Sequence, residues 1–554
     1  MKRIPPRPDI GHLKKQAKEL LASCRSGDPA AFDRFRETLP AAAGKSDPVI
    51  ASLGLRLHDA QSCVAREYGF ASWPDLQAFV LARQALSTDP ARSVRDWLGL
   101  VYAGDIAGGT NRAWPSVAAR LLQERPGLLG DDPHLACAAG DEALLRRTIA
   151  REPGWVHRPG GPLQLPPLVA VTHSALVRLP AFRERLLACA RLLIDAGADP
   201  NQAVGSRWPP ASLAEPSPTS PLSALYGAAG QNHDAGMTKL LLDAGADPDD
   251  GESLYHSLEN IACTRLLLQA GARVAGTNAL CRVLDFDDIE GLRLLLANGA
   301  NPNEAAADPA VADAAVPLLW AIRRRRSLAH IEALLAAGAD PSASTRDGTS
   351  ACLLASRFGL PEIARRLGQA GGEPRLSVAE AFIAACARAD EAEARRIRAA
   401  QPRVIRMLSD VQLRLLPELA AQGCSDAVRL MVRSGWPIAV PGGDWNASAL
   451  NQAVFRGDAA LARFLLEQGA SWTELHGFGD NVAGTLSWAS LNQPVERGDW
   501  VGCAEALAAH GLPPAHPDPE GPDSVIVDGR RMRFSEEVAD FLLASAGPGP
   551  RPDR

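Results

Sequence analysis

The chain is poor in aromatic residues, which make up only 5% of its 554 residues. Apolar residues nevertheless account for 46%, and alanine and leucine supply most of them. Small residues with good helix propensity suit closely packed helices better than sheets. Because 554 residues exceed what one compact core holds, the composition predicts either several helical domains or one long helical repeat array.

Excess positive charge and long apolar runs are also missing. The formal net charge is -6 and the pI is near 6.0, so no global basic field attracts nucleic acid or anionic lipid. No run approaches 18 consecutive apolar residues, and no apolar segment follows the basic residues 1–16. We therefore expect no nucleic-acid partner, no membrane span and no signal peptide.

Paired cysteines are absent as well. The ten cysteines occur singly, without a CxxC pair, at Cys24, Cys63, Cys137, Cys189, Cys263, Cys281, Cys352, Cys386, Cys424 and Cys503. In a long chain this pattern predicts reduced, buried thiols and a cytoplasmic location.

Motifs for catalysis or cofactor binding are not found either. The eleven histidines form no HExxH or HxH motif, and no GxSxG sequence surrounds a serine. Residues 43–46 (AGKS) imitate the end of a phosphate-binding loop, but Leu39 stands where that loop requires glycine. We interpret them as a loop between helices, and we expect a chain that is not an enzyme and needs no metal or other cofactor.

The sequence does contain a recurring phrase in which a leucine pair is followed by glycine and then by Asp-Pro or Asn-Pro. The main copies are LLIDAGADPN at 192–201, LLLDAGADPD at 240–249, LLLQAGARV at 266–274, LLLANGANPN at 294–303 and LLAAGADPS at 334–342, with weaker copies at 465–471 and 507–513. The leucines face a core, and the glycine ends a helix in the left-handed conformation. The proline then prevents the helix from continuing, so each copy predicts a helix end followed by a turn.

The spacing of these copies identifies the repeat. The glycines at 197, 245, 271, 299, 338 and 371 are separated by 48, 26, 28, 39 and 33 residues, and those at 435 and 469 by 34. Residues 347–356, ending at Gly359, are similar to DGxTPLHxAA…G, although Ala351 and Leu353 replace its proline and histidine. Residues 448–458 are a second good match. The chain therefore resembles the ankyrin repeat family, whose period is 33 residues.

The array departs from the family consensus, because TPLH survives intact nowhere and the longest interval carries a proline-rich, non-helical insertion at 207–218. We expect a degenerate array. The resemblance implies an all-α fold, an ankyrin-type helical repeat solenoid whose helix pairs bury their apolar faces by stacking.

The two ends differ from the array. Residues 1–90 are predicted to form an N-terminal helical region, with helices at 10–24 and 30–39 and a helix cap at Ser72. The string at 55–76 resembles the region ahead of the repeats in many bacterial ankyrin proteins, which implies a bacterial source. The array then spans 91–515, a hairpin around Asp528 and Gly529 with a last helix spans 516–546, and 547–554 form a disordered tail.

Candidate partner-binding residues lie in two groups. The arginines at 323–326 sit between the two helices of one repeat, where a solvated face is the favoured interpretation and an acidic partner the alternative. Tryptophans in loops (Trp208, Trp445, Trp472) or on an inner helix (Trp320) are either exposed binding anchors or, as favoured, fillers of gaps between irregular repeats. The predicted contact surface comprises Trp320, Arg323, Arg324, Arg325, Arg326, Arg346, Asp347, Asp444 and Trp445. Chain spacing puts residues near 444 several repeats away from the others.

On this basis we expect a monomeric protein–protein interaction scaffold or adaptor whose partner is an unidentified protein. Two alternatives stay open. One is an immunity-like or inhibitory protein that blocks a partner enzyme, and the other is an enzyme whose site is hidden in the insertions or in residues 1–90.

Overall fold

A computed structural model of the chain describes residues 2–5, 8–85, 89–305, 316–371, 376–521 and 524–545. The chain divides into two units, Met1–Ala279 and Leu280–Arg554, each with its own dense set of internal contacts. The division lies inside the predicted repeat array. The predicted tail at 547–554 lies outside the described residues.

The first unit is built from sixteen α-helices in its described residues. They are α1 (Ile10–Arg25), α2 (Pro29–Thr38), α3 (Asp47–Ala51), α4 (Leu57–Glu67), α5 (Trp73–Ala85), α6 (Pro90–Val101), α7 (Gly104–Ala107), α8 (Pro115–Glu124), α9 (Pro133–Ala139), α10 (Glu142–Arg151), α11 (Pro167–Thr172), α12 (Pro180–Asp195), α13 (Ala224–Tyr226), α14 (Ala235–Asp243), α15 (Ser253–Ser257) and α16 (Ile261–Gln269). Short 3₁₀ helices at Pro153–His157 and Ala175–Arg178 and a π-helix at Gly227–Gln231 join them.

The second unit is also built from α-helices in its described residues, and its first helix begins at Ala279, the last residue of the first unit. Its helices are α17 (Ala279–Asp285), α18 (Ile289–Ala297), α19 (Pro317–Arg323), α20 (Leu328–Ala336), α21 (Ala351–Arg357), α22 (Pro361–Gly371), α23 (Val378–Ala387), α24 (Glu391–Ala400), α25 (Asp410–Leu413), α26 (Leu415–Ala421), α27 (Ser425–Arg433), α28 (Ala449–Phe455), α29 (Ala459–Glu467), α30 (Val482–Asn492), α31 (Trp500–Ala509) and α32 (Glu536–Ser545). A 3₁₀ helix spans Val404–Met407.

Helix pairs stack on helix pairs within each unit. In the second unit α19 packs on α20 and α21 on α22, while α19 also packs on α21 and α20 on α22. The same pattern joins α28 and α29 to α30 and α31, and in the first unit it joins α9 and α10 to α11 and α12. Each pair thus buries its apolar face against its neighbours. The predicted all-α repeat fold is confirmed, and the described residues contain only five short strands.

The recurring phrase ends helices as predicted. After α20, Gly338 has a φ of +94°, and the amide of Ala339 donates to the carbonyl of Leu334 at 2.9 Å. This bond runs from the residue after the glycine to the last turn of the helix and satisfies a carbonyl that the helix leaves unpaired. Values of φ from 86° to 100° recur at the corresponding glycines, Gly197, Gly245, Gly271, Gly299, Gly435, Gly469 and Gly511.

The turns that follow these glycines are joined to one another by side chains. The Asn303 side-chain oxygen accepts from the Asp340 amide at 2.8 Å, and its Nδ2 donates to the Gly338 carbonyl at 2.9 Å. In the first unit Asn201 bonds in the same way to the turn at Gly245 and Asp247. In both units, the asparagine that follows the proline therefore hydrogen-bonds to the turn of the next copy of the recurring phrase.

The proline-rich insertion is non-helical, as expected. It is bracketed by two antiparallel strands, β1 (Ala203–Gly205) and β2 (Pro221–Ser223). Arg207 is 3% exposed and donates to the carbonyls of Ile106 and Leu163, each at 2.7 Å. These two bonds tie the insertion to the body of the first unit.

The ends of the chain also follow the sequence prediction where they are described. Ser72 precedes α5, and its Oγ accepts from the Asp75 amide at 3.2 Å, as a helix cap should. Strands β4 (Val525–Val527) and β5 (Arg530–Met532) form the expected hairpin, with φ values of +49° at Asp528 and +70° at Gly529. A third strand, β3 (His516–Pro517), pairs with β4.

All ten cysteines lie in the described part of the chain, and none of them forms a disulfide bond. Eight are buried, and Cys281 and Cys424 are half-buried. The prediction of reduced cysteines is therefore confirmed, and that of burial holds for eight of them.

Candidate protein-binding site

A cavity of about 420 Å³ in the second unit gathers several of the predicted partner-binding residues. It lies between the end of α19, the turn before α21, α26, and the turn at 442–446. Its lining residues are Arg323, Thr345, Arg346, Asp347, Thr349, Leu354, Arg357, Phe358, Val411, Arg414, Leu415, Glu418, Gly442, Gly443, Asp444 and Asn446.

Trp320 does not offer the exposed surface that a binding anchor requires. It lies on α19, is 5% exposed, and its indole Nε1 donates to Oδ1 of Asp285 at 3.0 Å. The guanidinium carbon of Arg324 lies 4.1 Å from the centre of its ring. Its ring is buried and stacks against a guanidinium group, and its N–H already has a hydrogen-bond acceptor, so neither is available to a partner protein. The anchor hypothesis for Trp320 is therefore corrected, and the gap-filling interpretation describes this residue.

The arginines at 323–326 are not a solvated face. All four are half-buried: Arg323 is the last residue of α19 and the other three follow it, with a φ of +52° at Arg325. Three pair with carboxylates of the same unit: Arg323 with Glu418 at 3.4 Å, Arg324 with Asp285 at 2.8 Å and Asp444 at 2.7 Å, and Arg326 with Asp287 at 2.9 Å. Arg325 donates to the carbonyl of Phe358. Cations are favourable at a helix C-terminus, and here their acidic partners belong to the chain itself.

The turn at 442–446 is brought against α19. The sequence spacing placed Asp444 several repeats away from Arg324, and that expectation is wrong, because the two side chains are in direct contact. Arg323, Arg346, Asp347 and Asp444 consequently line one cavity. The turn before α21 and the turn at 442–446 therefore meet at this cavity, although they are far apart in the chain.

Arg357, which lines the cavity, belongs to a buried ion pair that sequence analysis missed. The Arg357 guanidinium makes two bonds to the Glu380 carboxylate, at 2.6 and 3.0 Å, and both side chains are 9% exposed. Arg357 also donates to Oγ1 of Thr349 at 2.9 Å, and Gln412 donates to Glu380 at 2.6 Å. No periodic signal marks these positions, since neither belongs to the recurring phrase.

The carboxyl groups of the cavity differ in their environments. Burial tends to raise the pKa of Asp347, but hydrogen bonds from Thr345 and Thr349 outweigh it and lower that pKa. Burial raises the pKa of Glu418, and the nearby Arg323 charge only partly opposes this shift. The cavity therefore holds an aspartate stabilised in its charged form and a glutamate whose protonated form is favoured by burial.

Two cations of the cavity lack such partners. Arg346 and Arg414 are both exposed, and no carboxylate among the described residues lies within 4.0 Å of their guanidinium nitrogens. Arg346 was predicted as a contact residue, whereas Arg414 was missed. These two guanidinium groups are the charges that the cavity leaves available to a ligand.

The other predicted tryptophans lie on the surface to different extents. Trp208 is 50% exposed, while Trp445 and Trp472 are half-buried. Trp445 follows Asp444 directly and lies with its ring centre 5.6 Å from that of Phe455 and 5.1 Å from that of His476. It therefore belongs to an aromatic cluster beside the cavity.

Within the described part of the chain, no group of three or more histidine, cysteine, aspartate or glutamate side chains is placed to hold a metal ion. None of the helices described is both long enough and apolar enough to cross a membrane.

No protein-family model matches the chain, and no curated protein matches it in sequence. Among solved structures, the chain is similar to the crystal structure of the human ASB11 ankyrin repeat domain, with 18% sequence identity and a TM-score of 0.31. That match covers 44% of this chain and 99% of the other. The repeat architecture is shown by the helix pairs, glycine caps and linked turns of the chain itself.

Proposed function

We propose that this chain is a protein–protein interaction scaffold or adaptor, and that the cavity in its second unit receives an acidic side chain of a partner protein. The observation that carries the proposal is the pair of exposed, unpaired guanidinium groups, Arg346 and Arg414, on a cavity whose other charges are already paired or hydrogen-bonded.

The geometry favours a carboxylate as the group that enters. Guanidinium groups bind carboxylates through two parallel hydrogen bonds, and two such groups can hold one anion between them. Val411 lines the same cavity and is 46% exposed, so apolar contact is available beside the charges. Arg357 in the cavity wall is held by hydrogen bonds to Glu380 and Thr349, which reduces the ordering that a ligand would have to impose.

We also propose that the chain binds without catalysing a reaction. No histidine, cysteine, serine or lysine is among the described residues that line the cavity, and its carboxylates, Asp347, Glu418 and Asp444, are already hydrogen-bonded or paired with arginines. Its arginines and carboxylates are suited to recognition and orientation. The immunity-like alternative uses the same surface and differs only in the partner, which would be an enzyme whose activity falls on binding.

The test is affinity capture from native lysate, in which the wild-type chain is compared with the double variant Arg346→Glu/Arg414→Glu. We expect a partner that the wild type retains and the variant loses, with weaker capture by the wild type as salt concentration rises. The matched control is Arg365→Glu/Arg403→Glu, which reverses two exposed arginines that do not line the cavity. Equal capture by wild type and cavity variant would contradict the proposed surface.

A further inference from the structure

Five aromatic side chains form a continuous row beside the cavity. In order they are Phe478, His476, Trp445, Phe455 and Trp488, and we call them the aromatic row. Neighbouring ring centres are 5.9, 5.1, 5.6 and 5.5 Å apart along it. The row crosses the turn at 444–447, the turn at 476–480, α28 and α30, so only the tertiary structure assembles it.

Much of this row faces solvent. Phe478 is 82% exposed and Trp488 is 51% exposed, and Leu475 and Leu491 nearby are 65% and 52% exposed. Large contiguous apolar patches are uncommon on monomeric proteins, and they usually mark a surface that another molecule covers. Within the described residues, no arginine or lysine stacks on the rings of the row, so their open faces are available.

The row is held in place by its surroundings. The Gly477 amide donates to the Trp445 carbonyl at 2.9 Å, and a Cβ at Gly477 would lie 2.8 Å from that oxygen. On α30, Ser490 accepts from the Ser535 amide at 3.0 Å and so fixes the helix that carries Trp488. A rigid aromatic surface binds with little loss of side-chain freedom.

We propose that the aromatic row binds a proline-rich segment of a partner protein that contains a basic residue. A proline-rich segment adopts the polyproline II helix, whose backbone carbonyls have no internal hydrogen-bond partners. Grooves lined with aromatic side chains recognise such segments.

Hydrogen bonding at the row fits the same ligand. The indole N–H groups of Trp445 and Trp488 have no acceptor among the described residues. Each can therefore donate to a carbonyl of a polyproline II backbone, which has no amide hydrogen at its prolines to compete for that carbonyl.

The charge around the row explains why a basic residue is included. Asp444 precedes Trp445 in the chain, and Asp480 follows Phe478 by two residues; their side chains are 42% and 33% exposed. Each carboxylate already pairs with one arginine, Arg324 or Arg530, through a single oxygen. Its second oxygen accepts no hydrogen bond from the described residues, so it can receive an arginine or lysine of the partner. The same carboxylates disfavour the phosphates of a single-stranded nucleic acid.

This inference goes beyond the proposed function and shares with it the assumption of a protein partner and one residue, Asp444, which lines the cavity and also flanks the row. None of the five residues of the row lines the cavity, so the two surfaces can be disabled separately. A result that contradicts peptide binding at the aromatic row would leave the cavity proposal intact. A result that contradicts partner binding at the cavity would likewise leave the aromatic-row proposal intact.

The experiment titrates the full chain into a fluorescein-labelled peptide of eight prolines with one central arginine and follows anisotropy. We expect saturable binding that weakens at least tenfold for Phe478→Ala/Trp488→Ala, because desolvated aromatic contacts carry most of the energy at such interfaces. Arg346→Glu/Arg414→Glu should not weaken binding, because it leaves every ring of the row and both carboxylates in place. The matched control, Leu81→Ala/Met407→Ala, removes two other exposed apolar side chains, 49% and 55% exposed, and should also bind normally. The single variant Phe478→Ala, on an exposed turn, should weaken binding even if the double variant melts early.

Two further probes separate the possible ligands. A peptide in which glycines replace the prolines should bind much more weakly, and equal affinity for it would overturn the proposal. Decathymidylate is the nucleic-acid probe, and tighter binding of it, lost on Phe478→Ala, would assign the row to single-stranded nucleic acid instead. Absence of binding by the proline peptide at millimolar concentration would also overturn the proposal.

Discussion

Arg324 and Asp444 are 120 residues apart in the chain, yet Nη2 of the arginine lies 2.7 Å from Oδ2 of the aspartate. The same guanidinium group bonds to Asp285 and stacks on Trp320. One side chain therefore ties the end of α19 to the turn at 442–446 and forms one edge of the candidate binding cavity.

Removing this tie should loosen the turn without unfolding the protein. Arg324 is 20% exposed and Asp444 is 42% exposed, so solvent screens their attraction and its net contribution is about 0–1 kcal/mol. For Asp444→Asn we expect a nearly unchanged melting temperature but faster amide hydrogen exchange at residues 444–447. The control is Asp426→Asn, which neutralises a carboxylate on α27 that is 85% exposed. It should leave hydrogen exchange at residues 444–447 unaltered. Unchanged exchange in Asp444→Asn would mean that the ion pair does not hold the turn.

The glycine caps should resist β-branched substitution for a purely conformational reason. Gly197, Gly338 and Gly469 have φ values of +92°, +94° and +100°, and a Cβ there would meet nothing within 4 Å. The cost of a valine is therefore backbone strain, about 1–2 kcal/mol at each site. Thermal unfolding of the three Gly→Val variants measures it. Asparagine, which tolerates the left-handed region better, should cost less at each position, and identical melting of all the variants would rule out strained caps.

The buried pair of Arg357 and Glu380 should behave differently when one partner or both are removed. Arg357→Met leaves an uncompensated buried carboxylate, and we expect a loss of about 3–5 kcal/mol in the free energy of unfolding. The double variant Arg357→Met/Glu380→Met replaces both charges with apolar groups and should recover most of that loss. Denaturant unfolding monitored by circular dichroism makes the comparison. A double variant no more stable than Arg357→Met would show that the charges themselves stabilise the fold.

Buried thiols should make the protein less stable at alkaline pH. Burial raises the pKa of Cys63 from 9.0 to about 11 and that of Cys386 to about 12. As pH rises above 9, the unfolded chain loses thiol protons that the folded chain retains, so unfolding becomes more favourable. Each such thiol lowers the free energy of unfolding by at most about 1.4 kcal/mol per pH unit until its folded pKa is reached.

Urea unfolding at pH 8.0, 9.5 and 10.5 tests this linkage, with Cys63→Ala as the matched variant. We expect the variant to lose less stability than the wild type between pH 9 and 11, whatever its stability at pH 8. Parallel pH dependence in the two proteins would show that Cys63 titrates alike in the folded and unfolded states.

Local features were predicted well because their causes are local. A glycine after a leucine-rich helix end, followed by Asp-Pro, can only end that helix, and Gly338 shows the expected left-handed backbone. Asp528 and Gly529 likewise specify a tight hairpin turn by their own conformational preferences.

The candidate site was predicted only in part because its residues meet through stacking. The sequence identified Arg346, Asp347 and Asp444 as surface residues of interest, but it placed Asp444 too far from Arg324. It also predicted Trp320 and the arginines at 323–326 as contact residues, since a linear sequence does not show that Asp285, Asp287 and Glu418 reach them.

By itself, then, the sequence determined the helix ends and turns, which depend on residues close together in the chain, and the all-α repeat fold, which follows from the recurrence of the same phrase along the chain. Only the tertiary structure decided which charges neutralise one another, which arginines stay available on the cavity, and which aromatic rings form a row. Those outcomes depend on how neighbouring helix pairs stack. The contacts between helix pairs join residues far apart in the chain, and no local sequence pattern encodes them.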